Sequence, residues 1–180
     1  MEWNAIPKTA TGVYPISFTV RLIRKGMSME QEENKNQIQV IRVTEEWQRA
    51  GVHYVRVEGM LKEFPDITLA MEFDTDTPDT RYTLVLEGNM PVATVRLHVL
   101  NEHTGKIERV VTVGSARKKG YGALAMKEAE AWLKDLGISH IVVTSRTVAV
   151  GFYEKLGYTP DWTKTGGEGD FRLVLVEKEI

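Results

Sequence analysis

Alternating apolar and polar positions predict a strand near the start of the chain. Apolar residues occupy every second position across residues 16–22 (Ile-Ser-Phe-Thr-Val-Arg-Leu), the period of two that is typical of a half-buried strand. Residues 24–37 are polar and charged with almost nothing to bury, which indicates a linker. We therefore divide the chain into an N-terminal arm, residues 1–37, and a main domain, residues 38–180.

The main domain begins with a predicted strand over residues 38–43 and a helix over residues 47–61. Thr44 followed by two glutamates is a favourable helix start, because acidic residues stabilise the first turn. Residues 52–57 also alternate as a strand would, but the wider apolar spacing favours a helix, which Pro65 ends. The acidic stretch 74–79 (Asp-Thr-Asp-Thr-Pro-Asp) is predicted to be a loop.

Three further strands are predicted over residues 82–86, 92–100 and 107–113. The turns between them contain Gly88-Asn89 and residues 101–105, and such short connections favour antiparallel pairing of neighbouring strands.

The pattern then changes to an amphipathic helix over residues 120–136, which Gly137 is expected to end as a left-handed cap. Residues 138–144 form a near-continuous apolar run, typical of a strand with parallel neighbours. A short helix over residues 148–156 and a last strand over residues 171–176 follow. The order predicts an α/β domain with a mixed sheet.

Composition limits the number of domains and the classes of partner. A chain of 180 residues, 42% of them hydrophobic, supplies one substantial core, so we expect a single domain. A formal net charge of −2 gives no reason to expect nucleic acid as a partner. The absence of cysteine and the spacing of the four histidines argue against a metal site. No targeting segment or membrane span is evident, so a soluble cytoplasmic protein without a membrane partner is expected.

The strongest chemical signal is a basic glycine turn between the third of these strands and the long helix. Its residues are Arg117-Lys118-Lys119-Gly120-Tyr121-Gly122. Glycines allow the backbone to approach a ligand closely, and the free N–H groups and dipole of a helix start attract anions. Two lysines add positive charge. The spacing matches neither a nucleotide P-loop nor the dinucleotide fingerprint, but it suits a diphosphate.

Two motifs in order resemble the GNAT acetyltransferases. Arg117-x-x-Gly120-x-Gly122 after a valine-rich strand is similar to motif A of that family, and residues 149–158 (Ala-Val-Gly-Phe-Tyr-Glu-Lys-Leu-Gly-Tyr) are similar to motif B. The resemblance covers residues 38–180. It implies a mixed, mostly antiparallel sheet flanked by helices, and acetyl-CoA as co-substrate, with acetyl transfer to a primary amine of a small molecule or peptide.

The resemblance also implies which residues bind the co-substrate. Backbone groups at the end of the strand before the turn would hold the pantetheine arm, and amides from the turn into the helix would hold the pyrophosphate. By position these residues are Val110, Val111 and Thr112 on the strand, then Arg117, Lys118, Lys119, Gly120, Tyr121, Gly122 and Ala123.

Catalytic roles follow from the same resemblance. Tyr153 matches the tyrosine that acts as general acid in this family by protonating the departing thiolate; alternatively, its ring only packs against the sheet. Glu108 matches an acid often found before the pantetheine-binding segment, which would deprotonate the acceptor ammonium. His98 is a competing base because its ordinary pKa lies near neutrality, and solvent is a third route.

Some features of the sequence leave alternatives open. Gly114 stands where the family often has proline, and Arg146 stands where it often has asparagine or glutamine. A non-catalytic CoA-binding regulatory domain would retain the same loop. The regular apolar face of the N-terminal arm suggests pairing with its own sheet or with a second copy, as a homodimer.

Overall fold

The computed structural model describes residues 37–180, in which seven strands form one sheet. The strands are β1 Ile38–Arg42, β2 Arg81–Glu87, β3 Met90–Val99, β4 Thr104–Thr112, β5 His140–Arg146, β6 Thr159–Gly166 and β7 Leu173–Glu179. Their order across the sheet is β1-β2-β3-β4-β5-β7-β6. Of the pairs that these seven described strands make, β4–β5 alone is parallel. The predicted mixed, mostly antiparallel sheet is therefore confirmed, whereas the N-terminal strand predicted over residues 16–22 lies outside the described residues.

Within residues 37–180, four α-helices flank the sheet. They are α1 Glu46–Arg56, α2 Leu69–Phe73, α3 Tyr121–Asp135 and α4 Val150–Glu154. The helical interpretation of residues 47–61 is confirmed, although the last turn, Val57–Leu61, is a π-helix. The Gln48 side chain accepts hydrogen bonds from the backbone N–H groups of Thr44 and Glu45, at 2.7 and 3.0 Å. Gly137 has the expected left-handed conformation, with φ of 85°.

Each face of the sheet carries its own core. On one face, which we call the α3 face, strand residues such as Val95 and Ile107 pack against Ala129 and Leu133 of α3. On the opposite face, the α1 face, Leu84 packs with residues of α1. Successive residues of a strand point to opposite faces. Position along each strand therefore decides which face a polar side chain reaches.

Two elements were not predicted from the sequence, and one was misplaced. Helix α2 is only five residues long, with Glu72 as its buried member, so it shows no apolar stripe. Strand β6 is mostly exposed and threonine-rich, so it lacks a clear alternation. The last strand was predicted over residues 171–176 but spans Leu173–Glu179, because Phe171 belongs to a preceding 3₁₀ turn.

Candidate active site

Strands β4 and β5 separate within the sheet and leave an opening between them. Their parallel pairing ends at Ile107 opposite Val143. Beyond that point β4 stays paired with β3 as far as Thr112, while β5 stays paired with β7 as far as Arg146. Among the described strands, none therefore neighbours the backbone groups on the facing edges of β4 and β5.

A β-bulge lies where the two strands begin to separate. The register between β3 and β4 shifts by one residue between Thr94 and Arg96, and Arg109 has a positive φ of 49°. A bulge bends its strand and increases the local twist. The bulge thus turns the end of β4 away from β5.

The opening forms a cavity of about 840 Å³. Eleven of the thirteen predicted site residues line it: Glu108, Val110, Val111, Thr112, Arg117, Lys118, Gly120, Tyr121, Gly122, Ala123 and Tyr153. His98 and Lys119 do not. The cavity reaches both faces of the sheet, because its lining includes Phe152, which packs against the α3-face core, and Met60, which packs against the α1-face core.

The glycine turn presents backbone donors to this cavity. Lys118 and Gly120 are both left-handed, with φ of 64° and 88°, and α3 begins at the next residue. Within the described residues, none of the backbone N–H groups from Lys118 to Ala123 donates to a protein acceptor. Unpaired donors at a helix N-terminus, together with the helix dipole, form an anion site.

Side chains around the turn hold its shape. The Tyr121 hydroxyl donates to Glu87 Oε1 at 2.6 Å and so ties the helix start to β2. Arg117 donates from Nε to the Thr112 carbonyl oxygen at 3.2 Å and pairs with Glu63 at 2.6 Å. The Lys119 ammonium lies 3.3 Å from Glu87. Lys118 is therefore the lysine of this turn that lines the cavity.

Tyr153 lies on α4, where its ring is buried on the α3 face. The ring packs edge-on against Phe152 at 5.1 Å and Tyr158 at 5.8 Å between centroids. Burial raises the pKa of the Tyr153 phenol, because an apolar environment disfavours the phenolate. The phenol is accordingly protonated at neutral pH and can serve as a proton donor.

Glu108 lies on the cavity wall amid three cationic or titratable side chains. Its carboxylate oxygens lie 2.7 Å from Arg96 Nη2, 2.9 Å from His98 Nε2 and 2.8 Å from Lys106 Nζ. Burial alone would raise the pKa of Glu108, but the Lys106 hydrogen bond and the charges of Arg96 and Lys106 hold it below its ordinary value. Glu108 is therefore ionised at neutral pH.

His98 is adjacent to the site without lining it. Burial lowers the pKa of His98, and the neighbouring Arg96 charge lowers it further, although Glu108 partly opposes both. The imidazole is consequently neutral near pH 7. Because His98 reaches the cavity only through Glu108, the geometry favours Glu108 as the residue that contacts an acceptor.

A buried ionic network beside the site was not predicted from the sequence. Arg56 is fully buried and donates to Glu72 Oε1 at 2.8 Å, to Asp76 and to the Tyr82 hydroxyl. Asp76 also accepts from Arg96. The acidic loop predicted over residues 74–79 thus directs one carboxylate inward. Arg56 lies on the same buried stripe of α1 as Val52. A charged residue on an apolar stripe could have indicated, from the sequence, that Arg56 has a buried acidic partner.

The described residues give no indication of a metal site or of a membrane-spanning helix. Among residues 37–180, no group of three His, Cys, Asp or Glu side chains could hold a metal ion. No helix in that part of the chain is both long and apolar enough to cross a membrane.

Comparison with known proteins identifies a family. The model of the acetyltransferase (GNAT) family matches residues 43–158. A Bacillus subtilis protein provisionally named an acetyltransferase is 42% identical over 87 residues, which cover 48% of this chain. The chain spans 58% of the length of that relative.

Solved structures share the fold. The crystal structure of a provisionally named N-acetyltransferase from Lactobacillus plantarum is 27% identical and has a TM-score of 0.72, covering 80% of this chain and 99% of its own. The structure of a GNAT family acetyltransferase from Elizabethkingia anophelis, with acetyl-CoA bound, is 15% identical and has a TM-score of 0.59. The match covers 81% of this chain and 100% of that one.

Proposed function

The chain belongs to the acetyltransferase (GNAT) family, and from this premise we propose that it transfers an acetyl group from acetyl-CoA to a primary amine of a small molecule or peptide. One observation carries the proposal: the split between β4 and β5 connects a helix N-terminus with free amides to a buried tyrosine and an ionised glutamate. These are the groups needed to hold a diphosphate and to move protons.

The residues present fit acetyl-CoA as a co-substrate. Free N–H groups from Lys118 to Ala123, with the Lys118 ammonium nearby, suit the pyrophosphate. The unpaired edge of β4 at Val110–Thr112 can hydrogen-bond the amides of the pantetheine arm as another strand would. When bound, acetyl-CoA supplies a thioester whose carbonyl carbon an amine can attack.

The reaction balances without any further reactant. The acceptor ammonium first loses one proton, because only the neutral amine is a nucleophile. The nitrogen then forms a bond to the thioester carbonyl carbon, and the carbon–sulfur bond breaks as the nitrogen loses a second proton. The thiolate takes the phenol proton of Tyr153, which solvent later restores. The products are the N-acetyl amine, the CoA thiol and one proton released to solvent.

In this mechanism, Tyr153 and Glu108 divide the proton transfers. Tyr153 keeps its proton at neutral pH because burial raises its pKa, so it acts as the acid. Glu108 receives the ammonium proton directly or through water, because it is ionised and lines the cavity. Once Glu108 carries that proton, its O–H group can donate to Nε2 of the neutral His98, 2.9 Å away, and the proton can pass onward.

Stoichiometry of transfer tests the proposal. The protein is incubated with acetyl-CoA and a panel of primary amines and peptides, and both free CoA thiol and acetylated amine are measured. We expect one acetylated amine for each thiol released. Saturable binding of acetyl-CoA without acceptor-dependent thiol release would contradict the proposal and leave a non-catalytic CoA-binding domain.

A further inference from the structure

Arg146 is held between two aromatic rings at the end of β5. Its guanidinium carbon lies 4.8 Å from the Phe64 ring centroid and 5.2 Å from the Phe171 ring centroid. The two rings meet edge-on at 5.1 Å. The Nε–H group donates to the carbonyl oxygen of Asp170 at 2.8 Å. These contacts fix the position of the guanidinium and occupy one of its three nitrogens.

The remaining two nitrogens of Arg146 have no partner in the described part of the chain. Over residues 37–180, Arg146 makes no ion pair, and Nη1 and Nη2 make no hydrogen bond. The other two arginines lining the cavity differ in this respect. Arg117 pairs with Glu63 at 2.6 Å, and Arg109 lies 3.6 Å from Glu72. A half-buried cation without an acidic partner is suited to bind an anion.

Arg146 and Glu108 share the α1 face of the sheet. Val143 belongs to the α3-face core, and alternation along β5 directs Arg146, three residues on, to the opposite face. Ile107 belongs to the α3-face core as well, and Glu108 next to it contacts Arg96 on the α1 face. The cavity therefore has a carboxylate near the apex of the split and a cation at the end of β5, both on the face opposite α3.

Opposite charges at two positions of one cavity suit a ligand with both charges. Resting on the proposed acetyl transfer, we propose that the acceptor is a small amine that also carries a carboxylate, an amino-acid-type molecule. Its ammonium lies toward Glu108, and its carboxylate binds Nη1 and Nη2 of Arg146. Arginine presents paired N–H donors that match a planar carboxylate. The flanking rings of Phe64 and Phe171 offer apolar surface to the rest of the molecule.

The acidic residues near the site do not favour a purely cationic acceptor. The acidic stretch 74–79 would attract such an acceptor if its carboxylates were free. In the structure, Asp76 is neutralised by Arg56 and Arg96. Glu108 can still bind one ammonium of the acceptor, and Arg146 favours an acceptor that also carries an anionic group.

Matched acceptors test the inference. The full chain is assayed with sets of three amines that differ only in the acid group: phenylalanine, phenylalaninamide and phenethylamine, and the corresponding leucine set. O-phosphoethanolamine and ethanolamine form a phosphate pair. We expect kcat/KM to be about tenfold or more higher for each carboxylate than for its amide, as expected for a charged hydrogen bond. If the ratio of kcat/KM for O-phosphoethanolamine over ethanolamine exceeded the ratio for carboxylate over amide, a phosphate rather than a carboxylate would be the preferred anion.

Variants connect the preference to Arg146. Arg146→Gln should abolish the preference for the carboxylate by raising the KM of the carboxylate acceptor, while the KM of acetyl-CoA stays within about twofold. Arg146→Lys should retain part of the preference, because lysine keeps the charge but lacks the paired donors. Arg172→Gln removes the same charge from an exposed position that does not line the cavity, and it should keep the full preference. An unchanged preference in Arg146→Gln, or a change confined to acetyl-CoA, would overturn the inference.

A binding measurement separates this inference from the proposed function. If no amine supports thiol release, the proposed acetyl transfer fails. Calorimetry of the protein saturated with CoA then still compares phenylalanine with phenylalaninamide. Tighter binding of the carboxylate, lost in Arg146→Gln, would support an anion subsite, and equal binding of the two would overturn it.

Discussion

Gly122 and Thr112 face each other where α3 begins, so closely that a Cβ on Gly122 would lie 3.2 Å from Thr112 Oγ1. The same Cβ would lie 3.6 Å from the Phe152 ring. The glycine thereby brings the helix amides close to the end of β4. This contact places the predicted pyrophosphate and pantetheine positions side by side.

Gly122→Asp is expected to abolish the rise in thermal midpoint that acetyl-CoA produces in the wild type. A ligand that binds the native state raises its stability, and a carboxylate at this position would repel the diphosphate. Gly151→Asp is the matched control, because a Cβ there would have no neighbour within 4 Å among the described residues. Thermal melts with and without acetyl-CoA check both variants. A retained shift in folded Gly122→Asp would remove the turn from the proposed binding site.

Asp76→Asn is expected to lower the free energy of unfolding by about 3 kcal/mol at pH 7. Asp76 bonds to both Arg56 and Arg96, and removing one member of a buried ion pair leaves an uncompensated charge. The exposed control Asp79→Asn should change the free energy by less than about 0.5 kcal/mol. Urea denaturation measures both. Equal, small effects would mean that the network contributes little to stability.

The cost of Asp76→Asn should also depend on pH. Burial alone would raise the pKa of Asp76, but hydrogen bonds from Tyr82 and Arg96 and the arginine charges hold it below its ordinary value of 3.8. The stabilisation is therefore complete above about pH 3.8 and is lost as pH falls through the lower folded pKa. Urea midpoints from pH 7 down to pH 3 check this. A cost that already declines between pH 7 and 5 would contradict the lowered pKa.

Glu108→Gln is expected to lower kcat/KM for the acceptor by about tenfold or more, with a smaller effect from His98→Gln. Of these two residues, Glu108 lines the cavity and His98 does not, and the glutamine amide cannot accept the ammonium proton. Because the pKa of Glu108 lies below its ordinary value, its ionisation should not appear between pH 6 and 9. Rates across that range test this. A larger loss in His98→Gln would identify His98 as the base.

The long amphipathic helix, the antiparallel strands and the glycine turn could be predicted because their signals are local. Hydrophobic period, turn residues and glycine spacing each act over a few positions. The Arg56–Asp76 contact depends instead on residues 20 positions apart, and Glu72 of helix α2 bonds to Arg56 across 16 positions. The orientation of Lys119 toward Glu87 is equally non-local. Sequence pattern alone could not distinguish its role from that of Lys118.

The role of Arg146 could not be predicted from the sequence either. The sequence showed only that arginine stands where the family often has asparagine or glutamine. Its sandwich between Phe64 and Phe171 joins three separate segments of the chain. Contacts of this kind are set by the tertiary fold, so no spacing rule anticipates them.

The N-terminal arm, residues 1–37, remains a prediction because the strand expected there lies outside the described residues. Within residues 37–180, β1 pairs only with β2 and forms one edge of the sheet. An edge strand is open to pairing with a further strand. Deleting residues 1–28 should lower the thermal midpoint or change the oligomeric state measured by light scattering. A monomer of full stability would contradict pairing of the arm.

Tyr153→Phe tests the central claim most directly, because it deletes one proton while keeping the ring and its packing. Tyr158→Phe is the matched control, since Tyr158 is buried against Tyr153 but does not line the cavity. Initial rates of acetylated amine formation and CoA thiol release are measured for both variants. We predict that kcat falls about 10²-fold in Tyr153→Phe, the usual contribution of general acid catalysis, with little change in acetyl-CoA KM, and that Tyr158→Phe keeps the wild-type rate. Acetyl transfer at the wild-type rate by Tyr153→Phe would contradict the account.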